Sequence, residues 1–180
     1  AQLLQLTHQL EPHFLFNALN TIAETVHTDP ELADTLLTRL AALLRAATDL
    51  ARQPEAALRD EIALVEGYAA IMRERFADRV TVRFDIDPAA ADCRVPTLAL
   101  QPLLENAFRH AVEPRREPTT VVVGARREGA RLRLWVEDDG GTLRAAPSSG
   151  VGLDNLRRRL ALRYGRDARL TLPPRAGGGV

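Results

Sequence analysis

The hydrophobic period of this chain changes at Phe76, and that change limits the fold more than any other feature. Upstream, apolar residues recur every three to four positions, as on one face of a helix. Downstream, "RVTVRFDID" alternates with the period of two of a half-buried strand. A chain divided in this way is an α+β protein with a helical first part and a mixed second part.

In the helical part, Leu15, Leu19, Ile22 and Val26 form one apolar seam, and Leu32, Leu36, Leu40, Leu43, Ala47 and Leu50 form another. Between them "TDPE" reads as a helix start, with Asp29 as N-cap and Pro30 in the first turn. Two such helices make a hairpin with too little surface to cover both seams, so a second copy completing a four-helix bundle is expected. The predicted state is a homodimer, with residues 1–53 as the helical unit and 54–180 as a second domain. The opening "AQLLQLTHQL" reads as helix without a cap, as though it continued a longer element.

"ARQPEAA" interrupts the pattern, and "ALRDEIALVEGYAAIMRERF" resumes it as a third amphipathic helix. Beyond Phe76, the strand "RVTVRFDID" is followed by an apolar helix, "TLALQPLLENAFRHAV". "TTVVVGARREGARLRLWVEDDG" reads as two strands joined at Glu128, Gly129 and Ala130. A Gly- and Ser-rich loop, the helix "LDNLRRRLALRYG" and a strand "ARLTLP" complete the chain, with one further strand expected after Val180. The predicted architecture is an α/β sandwich, helices on one face of a mostly antiparallel sheet.

Pro12 joins two seams of different phase, so a bend there lets each present its own apolar face. With Leu15 and Ile22 at heptad position d, His13 falls at b and Asn17 at f, both outward and one turn apart. Helix histidines are usually surface or capping residues, and His8 and His27 are read so. His13 differs in following a helix-bending proline and lying among Phe14, Leu15 and Phe16. A neutral, exposed imidazole is a competent nucleophile toward phosphorus.

In "LLENAFRHA", Asn106 and His110 are four residues apart, as are Glu105 and Arg109, so two polar stripes rise from an apolar helix. One reading is a surface ion pair between Glu105 and Arg109. The other is a Mg²⁺ and phosphate site, in which an amide oxygen and a carboxylate suit a hard cation while Arg and His face phosphate oxygens. "WVEDDGG" ends a strand in carboxylates and glycines, and "SSGVGLDN" leads glycines into a helix start, where backbone N–H groups bind phosphate. Each glycine motif alone is more often a turn. Their order after the asparagine helix favours a nucleotide site.

Other classes are disfavoured by composition. Lys plus Arg and Asp plus Glu are equal at 24, so no global field draws the chain to nucleic acid or an anionic surface. The one cysteine, Cys93, excludes an internal disulfide framework, and no apolar run approaches the roughly 20 residues of a membrane span.

Together these stretches resemble the LytS/YehU-type sensor histidine kinases. "QLEPHFLFNALN" resembles their histidine box, "LQPLLENAFRHA" their asparagine box, "VEDDGG" and "GVGLDNLRRRLALRYG" their two glycine boxes, and "RERF" lies between the first two. The resemblance implies a dimerisation and phosphotransfer hairpin joined to a Bergerat-type (GHKL) ATP-binding domain. It implies that His13 takes the γ-phosphate of ATP and passes it to an aspartate of a response regulator, often one with a LytTR DNA-binding domain. It further implies that Asn106 holds Mg²⁺ and Asp138 bonds the adenine amino group. Gly140, Gly150, Gly152 and Leu153 would belong to the glycine boxes, with Glu105, Arg109 and His110 beside metal and phosphates. The expected setting is the cytoplasmic portion of an inner-membrane protein, anchored by a preceding region. The pattern departs at Thr142, which stands where a glycine is usual.

Asn17 suggests a second activity, orienting water against the regulator's phosphoaspartate. The alternatives are a nucleotide-binding pseudokinase or dimer module, and a Bergerat-fold ATPase without histidine chemistry, which the histidine box disfavours.

Overall fold

The computed structural model describes residues 12–140 and 151–171, and the side chains of 12–14 and 151 fall outside that set. The first helices are α1 (Pro12–Thr25) and α2 (Pro30–Ala51). Asp29 caps α2 as its sequence predicts: its carboxylate accepts the Leu32 N–H at 2.9 Å, and Pro30, which has no N–H to satisfy, opens the first turn. The bend expected around Pro12 involves residues before α1 that lie outside the described set.

Along α2, Ala33, Leu36, Leu40, Leu43 and Ala47 are buried at alternating spacings of three and four. This stripe is covered within the chain, by α1 and by the third helix, α3 (Leu58–Phe76). The seam expected to require a second copy therefore finds a partner in the helix that follows it. On α1 the expected seam is split. Ala18 and Ile22 are buried, whereas Leu19 and Val26 are 49% and 44% exposed. Phe16 on α1 and Leu37 on α2 are also exposed, at 66% and 51%.

Two short strands, β1 (Glu55–Ala57) and β3 (Arg94–Pro96), pair antiparallel. The main sheet consists of β2 (Val80–Ile86), β4 (Thr119–Glu128) and β5 (Arg131–Asp138), in the order β2-β4-β5. The β4–β5 hairpin is antiparallel, turning at Gly129 with φ +63° where a side chain would be strained. β2 runs parallel to β4, Val80 opposite Thr119, because a helical crossover separates them. Among the described residues the sheet is thus mixed rather than mostly antiparallel. That crossover contains α4 (Leu100–Ala107), which continues into a π-helical turn over Phe108–Val112. Helix α5 (Val151–Tyr164) follows the hairpin. Residues 168–171, expected to begin a strand, have no regular secondary structure, and the rest of that stretch lies outside the described residues.

The sheet buries one face, as expected. Val80 and Val82 of β2 and Val121, Val123 and Ala125 of β4 point inward, while Thr81, Arg83 and Asp85 face solvent. One apolar core extends from Ala18 and Ile22 through α2, α3 and α4 to these valines. Phe108 lies near its centre, edge-on to Tyr68 at 5.6 Å and stacked on Phe76 at 5.9 Å. Among the described residues, no helix is long and apolar enough to cross a membrane.

Candidate functional site

Helix α4 carries the asparagine motif, and its start is fixed by a residue the motif does not contain. Glu61 of α3 is fully buried and accepts the backbone N–H groups of Leu98 (2.5 Å), Ala99 (2.8 Å) and Leu100 (3.2 Å). These are donors at the approach to a helix, which have no intrahelical acceptor. Leu98 enters with φ 55°, a strained value for leucine that this capping helps to hold. Burial pushes the Glu61 carboxyl above its ordinary value, the three N–H groups and the nearby Arg159 opposing that rise. Arg159 of α5 in turn donates to the Thr97 carbonyl, and burial lowers its pKa against the pull of Glu61. One buried carboxylate thus links α3, the start of α4, and α5. The sequence reading missed it; the signal that could have found it is that Glu61 shares the apolar stripe of Leu64, Val65 and Tyr68, where an acid demands partners.

Along α4 the expected site residues separate by face. Glu105 is buried, with Oε1 accepting from Gln101 Nε2 at 2.8 Å. Asn106 and Arg109 are half-buried, and His110 is exposed on the π-helical turn. Such turns are frequent at functional sites. Glu105 and His110 therefore occupy different environments despite their proximity in sequence.

Both glycine motifs converge on this helix. Asp138 ends β5 on the helix-facing side, in register with Leu134 and Val136, and its Oδ1 accepts the Gly140 N–H at 3.1 Å. A Cβ at Gly140 would lie 2.7 Å from Ala111 Cβ, so only glycine lets the strand end approach the π-helical turn this closely. At Gly152 a Cβ would meet Pro102 Cβ at 3.3 Å, and Leu153 and Leu156 are the buried residues on the inner face of α5. The far end of α5 is tied to β1: Arg163 Nε donates to Glu55 at 2.8 Å, and the Tyr164 hydroxyl donates to the same carboxylate. The Arg163 bond holds the Glu55 carboxyl below its usual range. Gly150 and Thr142 lie outside the described residues.

The histidine helix reaches this region in a way its heptad phase did not predict. Asn17, expected to point outward, is half-buried and donates from Nδ2 to Glu113 Oε1 at 3.2 Å. The cause is the crossing of α1, which buries Ala18 and Thr21 beside it rather than Leu19. The His13 side chain lies outside the described residues. Arg75, within "RERF", reaches the same Glu113 oxygen at 3.1 Å, and Arg73 donates to the Val82 carbonyl at 3.0 Å.

The donor set can be tested against a Mg²⁺ ion. Among the described residues no group of three His, Cys, Asp or Glu could hold a metal. Magnesium bound mainly through substrate phosphates and water needs only one or two protein oxygens, and the half-buried Asn106 amide supplies one. The residues fit that mode.

Known proteins resemble this chain. Residues 1–80 match the histidine kinase family model. The chain is 33% identical over 175 residues to the sensor histidine kinase YpdA of Escherichia coli K12, an alignment covering 92% of this chain and 31% of YpdA. It is 35% identical over 183 residues to the sensor protein LytS of Staphylococcus haemolyticus (94% and 31%) and 37% over 161 residues to BtsS of Escherichia coli K12 (88% and 28%). By sequence it is a relative of the LytS-type sensor histidine kinases, and it spans about a third of their length. Among solved structures, a histidine kinase from Erythrobacter litoralis, EL346, matches with TM-score 0.50 at 19% identity, covering 90% of this chain and 54% of that one. That likeness concerns the fold alone.

Proposed function

We propose that this chain is the cytoplasmic catalytic portion of a sensor histidine kinase. It autophosphorylates on His13 with ATP and passes the phosphoryl group to an aspartate of a response regulator of the LytTR DNA-binding type. In this reading residues 1–53 are the phosphotransfer hairpin and 54–180 the Bergerat-type ATP-binding domain. A region preceding the chain anchors it at the inner membrane. The observation that carries the proposal is the convergence of the β5 end and the α5 start on the asparagine helix, through Gly140 against Ala111 and Gly152 against Pro102.

Asp138 would accept from the adenine amino group, and Arg109 and His110 would face phosphate oxygens from one side of α4. Leu153 would hold the α5 start in place, and Glu105 would support the site from beneath. Gly150 and Gly152 would let backbone N–H groups approach the phosphates. Asn106 would hold Mg²⁺, whose charge offsets that developing on the phosphates. In the transfer, a His13 ring nitrogen attacks Pγ in line. The N–P bond forms as the bond from Pγ to the β,γ-bridging oxygen breaks, the electron pair leaves with ADP, and the imidazolium proton passes to solvent. The exposed Phe16, Leu19, Val26 and Leu37 are the surface a second copy would cover to make a dimeric bundle. Asn17 would orient water against the regulator's phosphoaspartate when it is not bonded to Glu113.

Calorimetric titration with Mg-ATP tests the nucleotide site. Wild type should bind, while Asp138→Ala and Asn106→Ala should lose at least tenfold in affinity. Equal affinity in all three would refute these assignments.

A further inference from the structure

The contact between Asn17 and Glu113 joins the histidine helix to the ATP-binding part of the same chain, and Glu113 is firmly held for that purpose. Arg75 Nη1 pairs with its Oε1, and the Glu113 N–H closes the π-helical turn onto the Phe108 carbonyl at 2.9 Å. Arg79 grips the backbone on either side, donating to the Val112 carbonyl at 3.2 Å and to the Arg115 carbonyl. Both guanidinium groups also sit over the Phe76 ring, at 4.7 and 5.5 Å. Glu113 is thus presented from a braced turn with its carboxylate aimed at α1.

Its placement relates two sites. Position 13 is one turn before Asn17, about 6 Å along α1, and Asn106 is seven residues before Glu113, about 10 Å along α4 and its π-helical continuation. The 3.2 Å bond is where these two short paths meet within one chain. A hydrogen bond to a charged carboxylate that is partly buried is strong enough to select one rotation of α1.

We propose that Glu113 is a positioning residue that docks the histidine helix on its own chain's ATP-binding domain, so that phosphoryl transfer runs in cis. This rests on the kinase reading above, in which the γ-phosphoryl group moves from ATP to His13 with ADP as leaving group. Here both come from one chain.

Docking is read first without any need for activity. In a Cys93→Ser background, cysteines replace the exposed Asn20 and Arg116, each three residues beyond a latch residue, and a short bis-maleimide is added. The expected product is an intrachain cross-link that migrates as a single chain and falls several-fold when Glu113→Ala is added. A covalent dimer as the main product, or a yield indifferent to Glu113, overturns docking in cis.

Transfer is read next, in mixed dimers of His13→Ala chains with Asn106→Ala chains of different mass. The expected result is no label on the Asn106→Ala chain, and label there overturns the proposal. Glu113→Ala should slow autophosphorylation about tenfold or more at saturating ATP with KM for ATP unchanged. Asn17→Ala should do the same, the double variant being no slower than either alone. Glu113→Gln, which keeps an acceptor for Asn17, should recover part of the rate. Autophosphorylation of Glu113→Ala at the wild-type rate would overturn the role. Were wild type itself unlabelled, the kinase reading would fail, while the cross-link would still decide whether the helix docks on its own chain.

Discussion

Replacing Glu61 with alanine should be among the most damaging single changes outside the apolar core. The carboxylate accepts three backbone N–H groups at the start of α4 and faces Arg159. Each buried donor left without an acceptor costs about 1–3 kcal/mol. Water entering the space vacated by the side chain would recover part of this, leaving a net loss of about 3 kcal/mol. For a chain of this size, with Tm moving about 2–4 °C per kcal/mol, that is a fall of roughly 6–12 °C. Thermal unfolding followed by circular dichroism, together with urea titration to confirm an unchanged m-value, would measure it. Glu61→Gln retains one acceptor oxygen and removes the buried charge, so its loss should be smaller, about 1 kcal/mol. A Tm for Glu61→Ala within a degree of wild type would refute the claim that this carboxylate organises the asparagine helix.

The same group predicts a pH dependence. Its folded-state pKa is raised above the ordinary 4.5, so its contribution to stability is fullest below that value and declines as pH climbs through the folded pKa. The stability advantage of wild type over Glu61→Gln should therefore narrow with rising pH across that window, and urea unfolding of both proteins would show whether it does. Gly140→Ala drives a methyl to 2.7 Å from Ala111 Cβ and should separate the β5 end from α4, weakening nucleotide binding by about 1–3 kcal/mol in a calorimetric titration. Leu19→Arg places a charge in the exposed apolar stripe and should turn a dimer into a monomer by light scattering after size exclusion. Pro12→Ala should alter autophosphorylation or its regulation if the proline bend expected from the sequence sets the helix face, and label kinetics like wild type would dismiss that role.

Local chemistry was the most legible part of the fold. Asp29 and Pro30 mark a helix start without tertiary help, and Gly129 marks a hairpin turn, because their backbone constraints are intrinsic. Periodicity identified the buried face of α2 but not its covering, since an apolar stripe does not specify its partner. Packing against α3 covers the α2 stripe within the chain, while Leu19 and Val26 of α1 stay exposed. The same limit misplaced Asn17. Heptad phase assumes an ideal seam, whereas α1 crosses its neighbours so that Ala18 and Thr21 are buried and Leu19 is left outside. The strands β1 and β3, each three residues long, are too short for any period to register. Within the site, Glu61 was passed over, although an acid on an apolar stripe is a signal that could have found it. Arg159 sits in a run of arginines where spacing cannot single out the one that reaches the Thr97 carbonyl, and Glu113 follows a motif it does not belong to.

Whether His13 is the phosphoacceptor decides the central claim. Incubation with Mg²⁺ and ATP labelled at the γ-phosphate, wild type beside His13→Ala, should give a label that is labile to acid, stable to alkali and absent from the variant. Mg-ATP binding with an intact dimer and no label on wild type, or a label that persists without His13, would contradict it.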